Sequence, residues 1–375
     1  MPFVNVSSST GKTRFRYTIS TPSSASAEAI QPGLPVLFFF HALALHHVFH
    51  TQFSDRKLRK FNLVTFDLRW HGETKSDTVP PVYGQEEAAE DVIALINALQ
   101  LPPCHFVALD MGTTIALQIA VKIPEQVLSL FLMSHICLDE LPEIFEGRTE
   151  LFQLYTSGLP DSDNDVANGF VQYTFSKDMS NLACALHYSS IVTDLSNWSP
   201  EHHDEYRLIS YEFFRIRKPH SRESLSRISC PVKLLQGGRS LIYPPSYTEE
   251  LMRNLREAGV NATMEIIPDA PHYLCVDFGQ EVNPMIHDLV VESLHNRNVM
   301  VPPTPIETVV SPWDRMLRDH GWDPMKKHAL DDDDLVISYP TRESSLEQAG
   351  IHQDDYLIHT HIAMHILGMD KSQRS

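Results

Sequence analysis

Val107-Ala108-Leu109-Asp110-Met111-Gly112-Thr113 is the stretch on which the fold turns. It joins an apolar run, Cys104–Leu109, to a stretch of helical character over residues 112–123, with small residues two places before and two places after Asp110. Small residues at those places permit a strained strand-to-helix turn that lifts one side chain clear of the sheet edge. The side chain lifted here is a carboxylate.

On the N-terminal side of that turn, residues 35–40 (PVLFFF) and Asn62–Phe66 are short continuous apolar runs bounded by polar loops, the pattern of strands buried on both faces. Between Gln85 and Leu101 the residues Ala88, Ala89, Val92, Ile93, Leu95, Ile96 and Leu99 recur at helical spacing. Glu86, Glu87, Glu90 and Asp91 lie near the start of this helix, where its dipole favours acids. On the C-terminal side, Val127–Met133, residues 231–236 and Ala262–Ile267 predict strands, and residues 246–258 and 282–294 predict helices. This alternation predicts an α/β chain built on a doubly wound, mostly parallel sheet, entered through an antiparallel hairpin over residues 3–20. The alternation lapses from Leu138 to Ser226, which predicts a helical cap (138–226) inserted into a core made of residues 1–137 and 227–298. Pro302, Pro303 and Pro305 then predict a stiff linker at the head of a C-terminal extension, 299–375, to which the sequence assigns no role.

Four motifs follow one another in a fixed order: His41-Ala42-Leu43, Phe66-Asp67-Leu68-Arg69-Trp70-His71-Gly72, the turn at Asp110, and Pro268-Asp269-Ala270-Pro271-His272. In this order the sequence resembles the α/β-hydrolase family over about residues 30–295. At Asp110 it looks like the branch that carries aspartate at the nucleophile elbow, the epoxide hydrolases and haloalkane or haloacid dehalogenases. That resemblance implies Asp110 as nucleophile, a carboxylate being ionised at neutral pH without an activating base. It implies His272 as the group that activates water to hydrolyse the resulting ester, and the backbone N–H groups of Leu43 and Met111 as the oxyanion hole. It further implies hydrolysis of an epoxide, carbon–halogen or ester bond in a small, fairly apolar molecule, with Tyr173, Tyr206 and Tyr211 of the cap available to protonate a leaving alkoxide.

The sequence also departs from the pattern. Gly237-Gly238-Arg239-Ser240 stands where the family shows Gly-x-x-Asp, so Ser240 occupies the place of the acid that orients the histidine. A serine accepts the imidazole hydrogen bond but does not stabilise an imidazolium as a carboxylate does. At the preceding strand tip, where some members keep the acid, stand Ser134 and His135, with Asp139 and Glu140 a few residues beyond. The loop at residues 41–44 lacks the glycine and proline of epoxide hydrolases, and Met111 replaces the tryptophan that often binds halide in haloalkane dehalogenases. Two other readings therefore stay open. In one, Asp110 and His272 form an acid–base pair without a covalent intermediate, as in a lyase, isomerase or cyclase; in the other, the chain is an inactive pseudo-hydrolase that binds a ligand or a protein partner.

Composition narrows the partners. Thirty basic against 48 acidic side chains in 375 residues give a net charge of -18, which repels phosphate backbones and anionic membrane surfaces. A small-molecule substrate is expected, with neither nucleic acid nor membrane as a partner. Residues 1–10 have no basic start or apolar run, and no stretch approaches the ~20 apolar residues of a membrane span, so a cytoplasmic protein is expected. The five cysteines lack CxxC spacing and read as free thiols. His359, His361 and His365 have no acid or cysteine at ligand spacing, so neither a metal nor another cofactor is expected. His46, His47 and His50 read as helix-surface residues, Asp67 and Arg69 as a structural ion pair, and Asp331 to Asp334 as a solvated run.

Overall fold

The computed structural model describes residues 2–42, 46–157, 173–175, 179–197, 200–307 and 310–326. Its strands are β1 (Phe3–Ser8), β2 (Gly11–Thr21), β3 (Ser24–Ala27), β4 (Val36–Phe40), β5 (Asn62–Phe66), β6 (Lys75–Ser76), β7 (Cys104–Leu109), β8 (Val127–Met133), β9 (Val232–Gly237) and β10 (Ala262–Ile267). They form one sheet in the order β1-β2-β5-β4-β7-β8-β9-β10, with β3 and β6 paired to β2. The ladders from β5 to β10 are parallel, and β2 joins β5 antiparallel. The longer helices are α1 (Gln85–Ala98), α2 (Met111–Lys122), α3 (Pro142–Thr156), α4 (Asn181–Asn197), α5 (Pro245–Glu257) and α6 (Gly279–Asn296).

The central strands are apolar throughout because both faces of the sheet are covered. Val36, Phe38 and Phe40 of β4 enter the core on one face, and Leu37 and Phe39 enter the core on the other. In β7 the same alternation sends Phe106 and Ala108 one way and Val107 and Leu109 the other. Phe38 stacks on Phe66 of β5 with ring centroids 5.0 Å apart. Each buried phenylalanine stabilises the fold by about 2 kcal/mol through area removed from water.

Strand order places the site. From β4 the chain crosses to β5 on one side, whereas β7 pairs with the other side of β4. The carboxyl ends of β4 and β7 therefore flank the topological switch point, where open α/β sheets bind their ligands. Asp110 follows β7 directly and takes φ 51°, a conformation that L side chains seldom adopt. Gly112 makes the turn possible: a Cβ there would stand 2.6 Å from the His41 carbonyl oxygen and 2.7 Å from that of Phe40. Only a bare Cα lets α2 come so close to the end of β4.

Between β8 and β9 the described residues are mostly helical: α3, α4, and short turns that include a π-helical stretch over Leu208–Glu212. Beyond α6, residues 311–322 return to the core instead of standing apart from it. Trp313, in front of the short helix α7 (Asp314–Asp319), is 2% exposed, and Leu317 is fully buried among the side chains of the second core. Among the described residues, no helix is long and apolar enough to cross a membrane. No group of three or more His, Cys, Asp or Glu side chains among them is placed to hold a metal ion. His359, His361, His365 and the acidic run at 331–334 lie outside the described residues.

Candidate active site

The Asp110 carboxylate is fully buried, and two groups from distant parts of the chain meet it. Its Oδ2 accepts a hydrogen bond of 2.7 Å from the Tyr173 hydroxyl and lies 3.2 Å from His272 Nε2. Its Oδ1 is buried with no partner. Burial alone would raise the carboxyl pKa, but the hydrogen bonds and charge of His272, the Tyr173 hydroxyl and the nearby Arg148 hold it below the ordinary carboxylate value. Asp110 is thus an ionised group with one oxygen held and one oxygen open.

That charge fixes the histidine tautomer. A carboxylate only accepts, so Nε2 of His272 must carry a proton, and in the neutral form of the ring Nδ1 is an acceptor. Facing Nδ1 at 3.0 Å is Ser240 Oγ, whose hydroxyl donates to it. A hydroxyl can also turn round and accept. Ser240 therefore accommodates either tautomer, but it supplies no negative charge. Ser134 Oγ donates to the His272 backbone carbonyl at 2.5 Å and pins the loop that carries the ring.

Glu140, beyond the strand tip of β8, does not take the place of the absent acid. Its carboxylate accepts from Arg148 Nε at 3.1 Å and Arg217 Nη2 at 2.8 Å, and is committed to them. Arg148 in turn donates to the Tyr243 hydroxyl at 3.0 Å and lies 3.5 Å over the Phe214 ring. The Tyr243 ring packs 6.2 Å from that of Tyr173 and 5.7 Å from His272. Arg148 and Tyr243 escaped the sequence reading because nothing local marks them. The one available signal for Tyr243 is its place three residues after Ser240.

Of the three cap tyrosines singled out by sequence, Tyr173 reaches Asp110. Tyr206 and Tyr211 instead stack on Phe152, at 5.6 and 5.7 Å. The two oxyanion donors fare differently. Met111 is the first residue of α2, so its N–H has no partner within the helix; Leu43 lies outside the described residues.

Two expectations require correction. His46, His47 and His50 are not surface residues: all three are buried. His46 Nδ1 bonds the Asp67 carboxylate, and its Nε2 accepts the Trp313 indole N–H at 3.1 Å. His47 Nε2 meets Ser189 Oγ at 2.9 Å, and the His50 ring lies against Trp322. Burial keeps His47 and His50 neutral, pulled down to about 3 and about 4. Nor do Asp67 and Arg69 pair with each other. Asp67 takes His46, whereas Arg69 Nε bonds Asp91 at 2.8 Å and Nη2 bonds Thr10 Oγ1 at 2.7 Å.

The α/β hydrolase fold family model matches residues 35–278 of the chain, and the chain belongs to that family. It is 23% identical over 252 residues to the AB hydrolase superfamily protein YisY of Bacillus subtilis, covering 65% of this chain and 85% of that one. It is 22% identical over 253 residues to 3-oxoadipate enol-lactonase 2 of Acinetobacter baylyi, covering 68% of this chain and 87% of the relative. Among solved structures, a thermophilic esterase from Thermogutta terrifontis superposes with a TM-score of 0.57 at 20% identity, over 78% of this chain and 99% of the other.

Proposed function

We propose that the chain is a hydrolase for a small, fairly apolar substrate held between the sheet and a helical cap, with an epoxide as the bond opened and Asp110 as the nucleophile. The observation that carries this reading is the contact set of Asp110: Oδ2 held by Tyr173 and His272, Oδ1 buried without a partner. A lone pair of Oδ1 attacks a ring carbon, the carbon–oxygen bond of the ring breaks, and the alkoxide takes its proton from the Tyr173 hydroxyl. A leaving halide would need no such proton, which is why the tyrosine favours an oxygen leaving group over a halide. The product of this half-reaction is an alkyl ester of Asp110.

In the second half-reaction His272 Nε2 takes a proton from water, which attacks the ester carbonyl carbon while the Met111 N–H receives the developing oxyanion. For this the ring proton must reside on Nδ1, with Ser240 now accepting it. The ester then collapses, the departing diol oxygen takes the proton from His272, and the Asp110 carboxylic acid so formed passes its proton to the Tyr173 phenolate, which restores the starting state. A second reading draws on Ser240 itself: with no carboxylate behind His272, the pair Asp110 and His272 suits proton shuttling without a covalent intermediate.

The test is a His272→Gln variant incubated with a panel of epoxides, haloalkanes and esters and followed by intact mass and peptide mapping. An adduct of the whole epoxide mass on the Asp110 peptide is the expected result. Turnover by the unaltered chain with no adduct in the variant would sink the covalent route in favour of the acid–base route. Binding without turnover by either protein would leave a pseudo-hydrolase.

A further inference from the structure

Beside α2, at Thr114 and Leu117, lies a second polar site. A cavity of about 20 Å3 is lined by Thr114, His135, Arg217 and His220, and reaches the surface beside the exposed Lys218 and Pro219. Three of its lining residues each carry one buried polar atom with no partner: Thr114 Oγ1, Arg217 Nη1 and His220 Nε2. Buried polar groups are nearly always satisfied, so three orphans on one small cavity call for an occupant.

The donor set defines that occupant. Arg217 has no acceptor atom, and its other N–H groups are already used: Nε on the Leu138 carbonyl, Nη2 on Glu140 and the Cys137 sulfur. The Thr114 hydroxyl can donate, and burial keeps His220 neutral, near 4, with a ring N–H to give. The cavity holds one body of about the size of a water molecule, which needs ~10–15 Å3, and it is too small for phosphate, sulfate or the carboxylate of a metabolite. Charge points the same way. Arg217, Glu140 and Arg148 alternate in sign in a line running toward Asp110, and the cavity end of that line is the unbonded edge of a guanidinium.

We propose that this cavity is a binding site for a monatomic anion, chloride in physiological terms, held by Arg217, Thr114 and His220. The site shares a wall with the elbow. His135 Nδ1 bonds Thr113 Oγ1 at 2.7 Å, and that hydroxyl donates to the Asp110 carbonyl at 2.5 Å, so His135, a residue of the cavity wall, is two hydrogen bonds from the backbone of the candidate nucleophile.

Crystals soaked in sodium bromide test the site without reference to catalysis. The expected result is an anomalous bromide peak in contact with Arg217 Nη1 and Thr114 Oγ1; density there without anomalous signal identifies water and overturns the proposal. In solution, the full chain should melt at a higher temperature in sodium chloride than in sodium gluconate of equal ionic strength, and equal melting in the two salts overturns it as well. Because Arg217→Met removes a buried ion pair and can unfold the chain, Thr114→Val serves as the second variant. It keeps the shape of the side chain and should raise the chloride midpoint roughly fivefold, the loss of one hydrogen bond. An unchanged midpoint would remove Thr114 from the site and refute the donor set.

Discussion

Tyr173→Phe removes one hydroxyl from the wall of the candidate site and leaves the ring that packs 5.0 Å from His272. The bond lost is 2.7 Å long, its acceptor is an ionised carboxylate, and that carboxylate is fully shielded from water. Hydrogen bonds to charged groups contribute about 1.5–3 kcal/mol, and the short length and burial put this one near 2 kcal/mol. The protonation equilibrium of Asp110 then moves about thirtyfold toward the neutral acid, a factor of ten corresponding to about 1.4 kcal/mol. The sign follows from the depressed carboxyl pKa in the folded chain. A depressed carboxyl adds stability above its unfolded value of about 3.9 and loses it as pH falls through the folded value, so the variant loses stability at neutral pH and the gap closes in acid. Two measurements follow. Urea unfolding at pH 7 should show the loss of about 2 kcal/mol, shrinking below pH 4; the acid limb of the pH dependence of ester formation should move toward neutrality, with a further drop of about 100-fold from the lost proton donor. An unmoved acid limb, with stability unchanged, would mean that the Tyr173 hydroxyl does not hold the nucleophile, and the assignment of leaving-group chemistry to it would fail.

Ser240→Asp places a carboxylate behind His272 Nδ1. If Ser240 holds the triad-acid position, hydrolysis of the trapped ester should accelerate by roughly 10- to 100-fold, part of the ~10⁴ that a triad acid supplies, while an equal or slower single-turnover rate in a folded variant would count against that placement. Trp313→Ala should cost about 3–5 kcal/mol in urea unfolding, the usual cost of deleting a buried large aromatic side chain. Trp313→Phe keeps most of the packing and loses the bond to His46, so it should cost about 1 kcal/mol; a Trp313→Ala loss below 1 kcal/mol would show that the segment after α6 does not stabilise the core.

Much of the sheet was legible in advance because its signal is local. Cys104–Leu109, Asn62–Phe66 and Val127–Met133 coincide with strands found, since a strand covered on both faces reads as a short, largely apolar run; Ala262–Ile267 also coincides, although as the edge strand it keeps Thr263, Glu265 and Ile266 exposed. The small strands Ser24–Ala27 and Lys75–Ser76 were missed, as neither has an apolar run; each exists because β2 offers it a free edge. The meeting of Asp110 with His272 followed from the order of motifs, but which of Tyr173, Tyr206 and Tyr211 would join them did not, because the choice depends on how α3 and α4 lie over the sheet. The histidines at positions 46, 47 and 50 misled for the same reason. His46 looks like a surface residue until its partner is known, and that partner, Trp313, stands 267 positions further along the chain.

That distance has a bearing on how the molecule is made. Synthesis delivers the chain N-terminus first, at about 5–20 residues per second, so β4 and Phe53 emerge long before the indole that covers them. Until Trp313 arrives and lies 4.7 Å from the Phe53 ring, the segment from His46 to Phe53 has an open apolar flank and His46 lacks the indole bond that joins Asp67 in holding it. The nascent protein therefore passes through a stage at which its sheet and the turn at Asp110 are complete but one wall of the loop beside them is missing. Folding of that wall waits until Trp313 has been translated.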